Sequence, residues 1–209
     1  MREYENDLIK KGITYIAGVD EAGRGPVAGP VVAAAVILRN DFHYGYINDS
    51  KKMSEKQREK AFTDIIENAI AFGVGIIDET IIDEINILEA TKKAMTLAIE
   101  NLKVKPEYVL IDAVKLNCNF KTLSIIKGDQ KSISIAAASV IAKVTRDRLM
   151  KEYSILYPNY AFEKHKGYLT KIHKERIKEF GPCAIHRKTF APIDSYYQKW
   201  SNYHKNCFF

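Results

Sequence analysis

Residues 13–38 read ITYIAGVDEAGRGPVAGPVVAAAVIL, and this stretch decides the fold. Residues 13–19 and 31–38 are apolar and partly β-branched, and a Gly- and Pro-rich segment separates them, so the stretch predicts two strands joined by a structured loop. Both runs are hydrophobic almost without interruption, the pattern of strands covered on two faces. The first run closes on Asp20 and Glu21, directly before the loop.

Downstream, Ser54 followed three residues later by Gln57 is a capping-box pattern. It opens a helix carrying Ala61, Ile65, Ile66, Ala69 and Ile70, which Gly73 is expected to close. Residues 74–77 read as a short strand. A second helix spans about 85–102, with Leu88, Thr91, Met95 and Ala98 at helical spacing, and Pro106 ends that segment. YVLID (108–112) is a buried strand ending in an acid, and 122–126 is another. Residues 133–144 are Ala-rich and apolar almost all round, which marks a helix buried against the sheet. Ser132, Ser139, Lys143 and Arg146 fall on one stripe of it.

From Pro158 the chain is polar and aromatic, helical at about 168–180 and 192–200. The order β, β, α, β, α, β, β, α followed by a helical tail predicts an α/β fold with a mixed sheet flanked by helices and a C-terminal helical cap. The expected division is a core over 1–157 and a basic, aromatic-rich helical region over 158–209 packed on it.

Of the 209 residues, 32 are Lys or Arg and 26 Asp or Glu, a formal charge of +6. The excess is local: residues 143–209 hold 14 basic and 6 acidic side chains, with 13 of the 22 aromatics. Basic groups interleaved with aromatics suit a phosphate backbone with sugars and bases to stack on; a solvated basic surface over a small aromatic core fits the same composition. Cys118, Cys183 and Cys207 are odd in number and form no CxxC, so neither a disulfide framework nor a zinc knuckle is indicated, and a cytoplasmic location fits. The longest apolar run, 27–38, is broken by Gly29 and Pro30 and is too short for a bilayer. The charged N-terminus has no apolar signal core, so a membrane or secreted protein is not expected.

Asp20 with Glu21, Asp112 and Asp129 all stand where apolar strands end, the place where α/β folds put their chemistry. A single such acid is usually a turn or cap residue; four together suggest a site. Carboxylates gathered without His or Cys select hard cations, Mg²⁺ or Mn²⁺. Neighbouring strand residues point to opposite faces, so Asp20 and Glu21 share a site only if the strand ends there, as Gly23 suggests. Asp147 competes with Asp129, but about 27 Å of helix would separate the two, against roughly 4 Å between paired catalytic metals. Asp129 lies near the strand ends and is preferred; Asp147, flanked by Arg146 and Arg148, reads as a charge-paired helix residue.

The loop is not a dinucleotide or phosphate-binding fingerprint: Gly23, Gly25 and Gly29 give GxGxxxG, and no Walker lysine follows. GVDEAGRGPVAGPVVAAAV (18–36) instead resembles the signature of the ribonuclease HII, or type 2 ribonuclease H, family. DSKKMSEKQRE (49–59), NILEATKKAM (86–95), YVLIDA (108–113), KGDQKSISIAAASVIAKVTRDR (127–148), HKGY (165–168) and HRKTF (186–190) resemble its other blocks in order. The resemblance implies a ribonuclease H-like fold and endonucleolytic cleavage of RNA in RNA/DNA hybrids, including a lone ribonucleotide embedded in duplex DNA. It implies that Asp20, Glu21, Asp112 and Asp129 are the catalytic, metal-binding acids, that Gly23, Arg24 and Gly25 contact the 2′-hydroxyl through backbone groups, and that Tyr168 stacks on the next sugar. Leu169, Ala113 and Thr189 depart from the family's usual Gly, Gly and Ser. Type HIII usually carries an extra N-terminal domain, and about a dozen residues precede the first strand here, so type HII is preferred.

The mechanism so implied uses two divalent ions bridged by Asp20 and Asp112, their shells completed by Glu21 and Asp129, and leaves 5′-phosphate and 3′-hydroxyl ends. Ser139 and Lys143 are candidate phosphate-holding residues or plain helix surface, with Lys51 a weaker candidate. His43, His165, His173, His186 and His204 show no pairing of the kind a metal-independent ribonuclease needs. The partners are an RNA/DNA hybrid and ribonucleotide-containing duplex DNA, and the chain is expected to be a monomer. The terminal NYHKNCFF is expected to pack. The reading from another class is a non-catalytic nucleic-acid binding module, against which the repulsion between four acids and a phosphate backbone argues.

Overall fold

The computed structural model of the chain describes residues 1–41, 47 and 53–198. Lys51, His43, His204 and the terminal NYHKNCFF lie outside the described residues. The elements run α1 (Glu3–Lys10), β1 (Ile16–Ala22), β2 (Val31–Ile37), α2 (Glu55–Asn68), β3 (Ala71–Ile77), α3 (Glu79–Glu100), β4 (Tyr108–Asp112), β5 (Lys121–Ile125), α4 (Ile133–Leu156), α5 (Phe162–His165) and α6 (Lys171–Phe180), and residues 193–198 are again helical. The strands form one mixed sheet in the order β3-β2-β1-β4-β5. β1, β2 and β3 make antiparallel pairs, while β4 lies parallel to both β1 and β5.

β2 is buried at every position, as its unbroken VVAAAVI predicts. Its residues alternate between two cores: Val31, Ala33, Ala35 and Ile37 pack under α3, and Ala34 and Val36 under α2 and α4. The small residues allow close layers. At Gly18 a Cβ would fall 2.0 Å from the backbone of Ser134, so α4 rests directly on the middle of β1.

Ser54 and Gln57 make the reciprocal capping box at the start of α2: Gln57 N–H donates to Ser54 Oγ at 3.3 Å and Ser54 N–H to Gln57 Oε1 at 2.8 Å. That helix stops at Asn68, and Gly73 lies inside β3 instead of closing it. There Gly73 permits close approach, since a Cβ would meet Ala98 O at 2.3 Å. α3 begins at Glu79, capped by Asp78 and six residues ahead of expectation. It kinks at Asn86 (φ 66°), whose Oδ1 accepts Leu88 N–H and Glu89 N–H and so caps the second half. α4 runs on to Leu156 as one unbroken helix. The unexpected element is α1: its buried Glu5 accepts from Ser132 Oγ at 2.5 Å and Ser134 N–H at 3.0 Å, capping the otherwise buried start of α4.

Candidate active site

Strand register brings the first two acids together. The parallel pairing of β1 and β4 ends at Val19 with Ile111, so Asp20 and Asp112 are the next residues on adjacent strands, at the carboxyl ends where α/β sheets bind their ligands. β1 continues to Ala22 against β2, with Asp20 opposite Ala34 and Glu21 opposite Ala33. The strand therefore parts from β4 at Asp20 instead of stopping at the acids. Asp20 is buried; its Oδ1 accepts Glu21 N–H at 2.7 Å, and its carboxylate also hydrogen-bonds Ser139 of α4. Burial, then the charges of Glu21 and Asp112, hold its pKa well above the ordinary carboxylate value.

Asp112 Oδ1 accepts Gly128 N–H at 2.6 Å, which ties the end of β4 to the tight turn Gly128–Gln130. Asp129 sits buried in that turn, next to this bond and just before α4. Asp147, about four turns into α4, is engaged by Lys143 Nζ at 2.7 Å and Arg58 Nη2 at 4.0 Å. The cations flanking it go elsewhere: Arg148 pairs with Glu59, and Arg146 turns inward. Of the polar stripe, Ser139 thus supports Asp20, Lys143 is paired within the helix, and Ser132 caps it.

The donor set suits hard divalent cations. The acids offer oxygen alone, and the destabilised Asp20 carboxylate would be relieved by positive charge. Among the described residues no three His, Cys, Asp or Glu side chains are grouped as a metal site.

The loop after β1 is held from beneath by two buried arginines. Gly23 takes φ 101°, and a Cβ there would strike Arg146 Nε at 2.2 Å, so only glycine fits. Arg187, fully buried, donates through Nε to Gly29 O (3.0 Å), through Nη1 to Arg24 O (3.1 Å) and Pro26 O (2.7 Å), and through Nη2 to Gly23 O (2.6 Å) and Gly29 O (2.8 Å). Arg146 donates to Pro30 O, Ala28 O and Lys166 O at 2.9–3.1 Å. With its carbonyls drawn inward, the loop turns Arg24 and Gly25 to the exposed side, and among the described residues no hydrogen bond takes up their N–H groups. The Arg24 side chain leans toward Glu21 Oε1 at 3.4 Å. The half-exposed Tyr168 ring closes the other flank: a Cβ on Gly25 would lie 3.7 Å from it.

Sequence reasoning places Arg187 in HRKTF without a role, and nothing in its spacing announces that it is buried. It also misses a histidine pairing: His173 Nε2 lies 3.1 Å from His186 Nε2, with His165 stacked on His173 at 4.2 Å between ring centres. All three are buried in the C-terminal region, so the pair is not presented to a substrate.

A five-stranded mixed sheet with acids at the ends of its adjacent parallel strands, flanked by helices, is the arrangement of the ribonuclease H-like class of folds. The sequence profile of the ribonuclease HII family matches residues 17–193, and the chain belongs to that family. It is 59% identical over 199 residues to a ribonuclease HII of Bacillus mycoides (95% of this chain, 77% of the relative). To that of Bacillus cytotoxicus it is 60% identical over 193 residues (92% and 74%). Among solved structures, the ribonuclease H2 of Pyrococcus horikoshii superimposes with a TM-score of 0.75 at 27% identity, covering 89% of this chain and 98% of that one. Bst-RNase HIII in complex with Mn²⁺ shares the fold at 17% identity and a TM-score of 0.64, with 90% and 70% covered. The chain is accordingly a ribonuclease H, a hydrolase of the RNA in RNA/DNA hybrids. Among the described residues no helix is long and apolar enough to cross a membrane.

Proposed function

We propose that the chain cuts the RNA strand of hybrids, and duplex DNA at embedded ribonucleotides, with two divalent ions held by Asp20, Glu21, Asp112 and Asp129. The observation that carries this is the register that sets Asp20 beside Asp112 where β1 leaves β4. Bound there, Mg²⁺ or Mn²⁺ would supply water activation and neutralisation of the departing 3′ oxygen. The chain's residues do the rest. Ser139 and the Glu21 N–H fix the Asp20 carboxylate, and Gly128 N–H fixes Asp112. Arg24 and Gly25, exposed at the crest of a loop whose carbonyls are immobilised, offer N–H groups to a 2′-hydroxyl. Tyr168, beside Gly25, would stack on the following sugar.

Two of the 14 basic residues counted over 143–209, Arg146 and Arg187, are internal. Lys164, Lys171, Lys174 and Lys178 remain exposed on and beside α5 and α6, where they would meet the phosphate backbone. Lys143, paired with Asp147, and Lys51 are further phosphate candidates.

The test is Asp112→Asn assayed on a duplex holding one ribonucleotide, with all-DNA and all-RNA duplexes alongside, in Mg²⁺ and in Mn²⁺. Loss of cleavage with folding and hybrid binding retained is the expected result. Retained metal-dependent cleavage overturns the site, equal cutting of all three duplexes overturns the specificity, and binding without turnover by the unaltered protein supports the non-catalytic reading.

A further inference from the structure

The three buried histidines lie directly beneath Tyr168, and their hydrogen bonds leave each of them one protonation pattern. Tyr168 O can only accept, so His173 Nδ1, 3.0 Å away, carries a proton. A neutral His173 then has a bare Nε2, which must accept from His186 Nε2–H at 3.1 Å. His186 in turn has a bare Nδ1, which takes Cys183 N–H at 2.9 Å, nearer than either Cys183 Sγ (3.2 Å) or Cys183 O (3.3 Å). His165 fits beside them: its Nε2–H donates to Tyr160 O at 2.8 Å, its Nδ1 accepts Gly167 N–H at 3.2 Å, and its own carbonyl accepts Tyr168 N–H at 2.9 Å. Phe162 lies against all three rings, 5.5–5.8 Å between centres, and closes the cluster to charge. Burial holds His173 down to about 3 and His186 to about 4, so the neutral pattern persists at physiological pH. With every ring nitrogen of the three rings taken up by these bonds, the cluster is not a metal site.

We propose that His186, acting through His173, is a positioning residue for Tyr168. The donor chain from Cys183 N–H through His186 and His173 to the Tyr168 carbonyl fixes the height of the tyrosine beside Gly25, and with it the recognition of a single ribonucleotide. The proposal rests on the reading of Tyr168 as a substrate contact. Its particular consequence is a tautomer: His173 must hold the Nδ1–H form, the minority form of a free histidine side chain in water, because His186 donates to its other nitrogen. Without the His186 donor, His173 can shift its proton to Nε2 and release the Tyr168 carbonyl. The same carbonyl is also bonded by Thr170 N–H at 2.8 Å, so the loop would loosen and not unfold.

Two measurements test this. The ring-nitrogen correlation spectrum of the ¹⁵N-labelled full-length protein should show His173 protonated at Nδ1, and His165 and His186 at Nε2; His173 protonated at Nε2 overturns the relay without any variant. The second is a double-mutant cycle on the one-ribonucleotide duplex. His186→Leu should lower kcat/KM about tenfold, the scale of a slight misplacement of a substrate contact, and add no further loss on a Tyr168→Ala background. His186→Gln, which keeps an N–H donor, should recover most of it. An equal His186→Leu loss on both backgrounds, or no loss where Tyr168→Ala is impaired, overturns the positioning role while leaving Tyr168 in the site. A Tyr168→Ala variant as active as the parent overturns the reading of Tyr168, and the proposal falls with it. A His186→Leu chain that fails to fold leaves the decision to His186→Gln and the spectrum.

Discussion

Replacing Arg187 by Met keeps the volume and removes the charge, and the structure sets the size of the effect. All five guanidinium N–H groups are used, on four carbonyls, and no carboxylate takes part in these bonds. Burial, then the charge of Arg146, lowers its pKa to about 9, which leaves it cationic at neutral pH. The variant escapes the cost of burying that charge but strands the carbonyls of Gly23, Arg24, Pro26 and Gly29, each at about 1–3 kcal/mol. These losses are not additive, and four stranded carbonyls at the low end of that range come to about 3–5 kcal/mol net. For a chain of this length each kcal/mol shifts Tm by about 2–4 °C, so a fall of about 6–20 °C is expected in a thermal melt. Arg187→Lys should recover less than half, because one ammonium cannot span four carbonyls. Assayed well below the lowered Tm, Arg187→Met should also lose cleavage at a single ribonucleotide more than tenfold, as a mispositioned contact does. A variant within about 1 kcal/mol of the parent in urea unfolding, where mutations that strand buried groups exceed that, would refute the view that the loop is held from beneath.

Asp20→Asn should abolish cleavage yet raise the urea midpoint of the protein in chelator at neutral pH. The folded state binds that proton more tightly than the unfolded chain, so ionising Asp20 costs stability as pH rises above the ordinary value of 3.8; a lowered midpoint refutes this. The buried histidines act oppositely. Their depressed pKa values give stability that is complete above about 6.5 and lost as pH falls toward 4 and then 3. On the Asp20→Asn background, which removes the opposing carboxylate, unfolding free energy should therefore drop by about 1 kcal/mol for each of His173 and His186 between pH 7 and 5.5, and a flat profile there counts against neutral burial. Ala113 is exposed at φ 50° where the family commonly has Gly, so Ala113→Gly should leave activity intact and stabilise by about 0.5 kcal/mol in chemical unfolding; a loss of that size contradicts the strain.

What could be read from the sequence was local or periodic. The Ser54–Gln57 box, the unbroken apolar β2 and the strand-end acids each carry their signal within a few residues. Gly73 misled because a glycine after an apolar helical run serves equally to end a helix or to admit a neighbouring helix to a strand, and only the packing of Ala98 against it decides. The α3 kink escaped because Asn86 reproduces a cap in mid-helix. Lys143 and Arg146 share one stripe, but their fates diverge through partners distant in sequence, Arg58 beside Asp147 in one case and the loop carbonyls of Ala28 and Pro30 in the other. His165, His173 and His186 come from three separate segments, and no periodicity links residues that meet only after α5, α6 and the HRKTF loop have docked.

The bonds from Arg187 to the loop also set a schedule for biosynthesis. Gly23 and the guanidinium that fixes its carbonyl are 164 residues apart, and a chain is made from its N-terminus. A nascent chain can assemble the five-stranded sheet and place Asp20 beside Asp112 while the carbonyls of the loop after β1 still hydrogen-bond to water. The loop proposed to contact the 2′-hydroxyl takes its final form only after residue 187 has left the ribosome, so a product terminated before that residue would keep its acids but not the bonds that hold the loop.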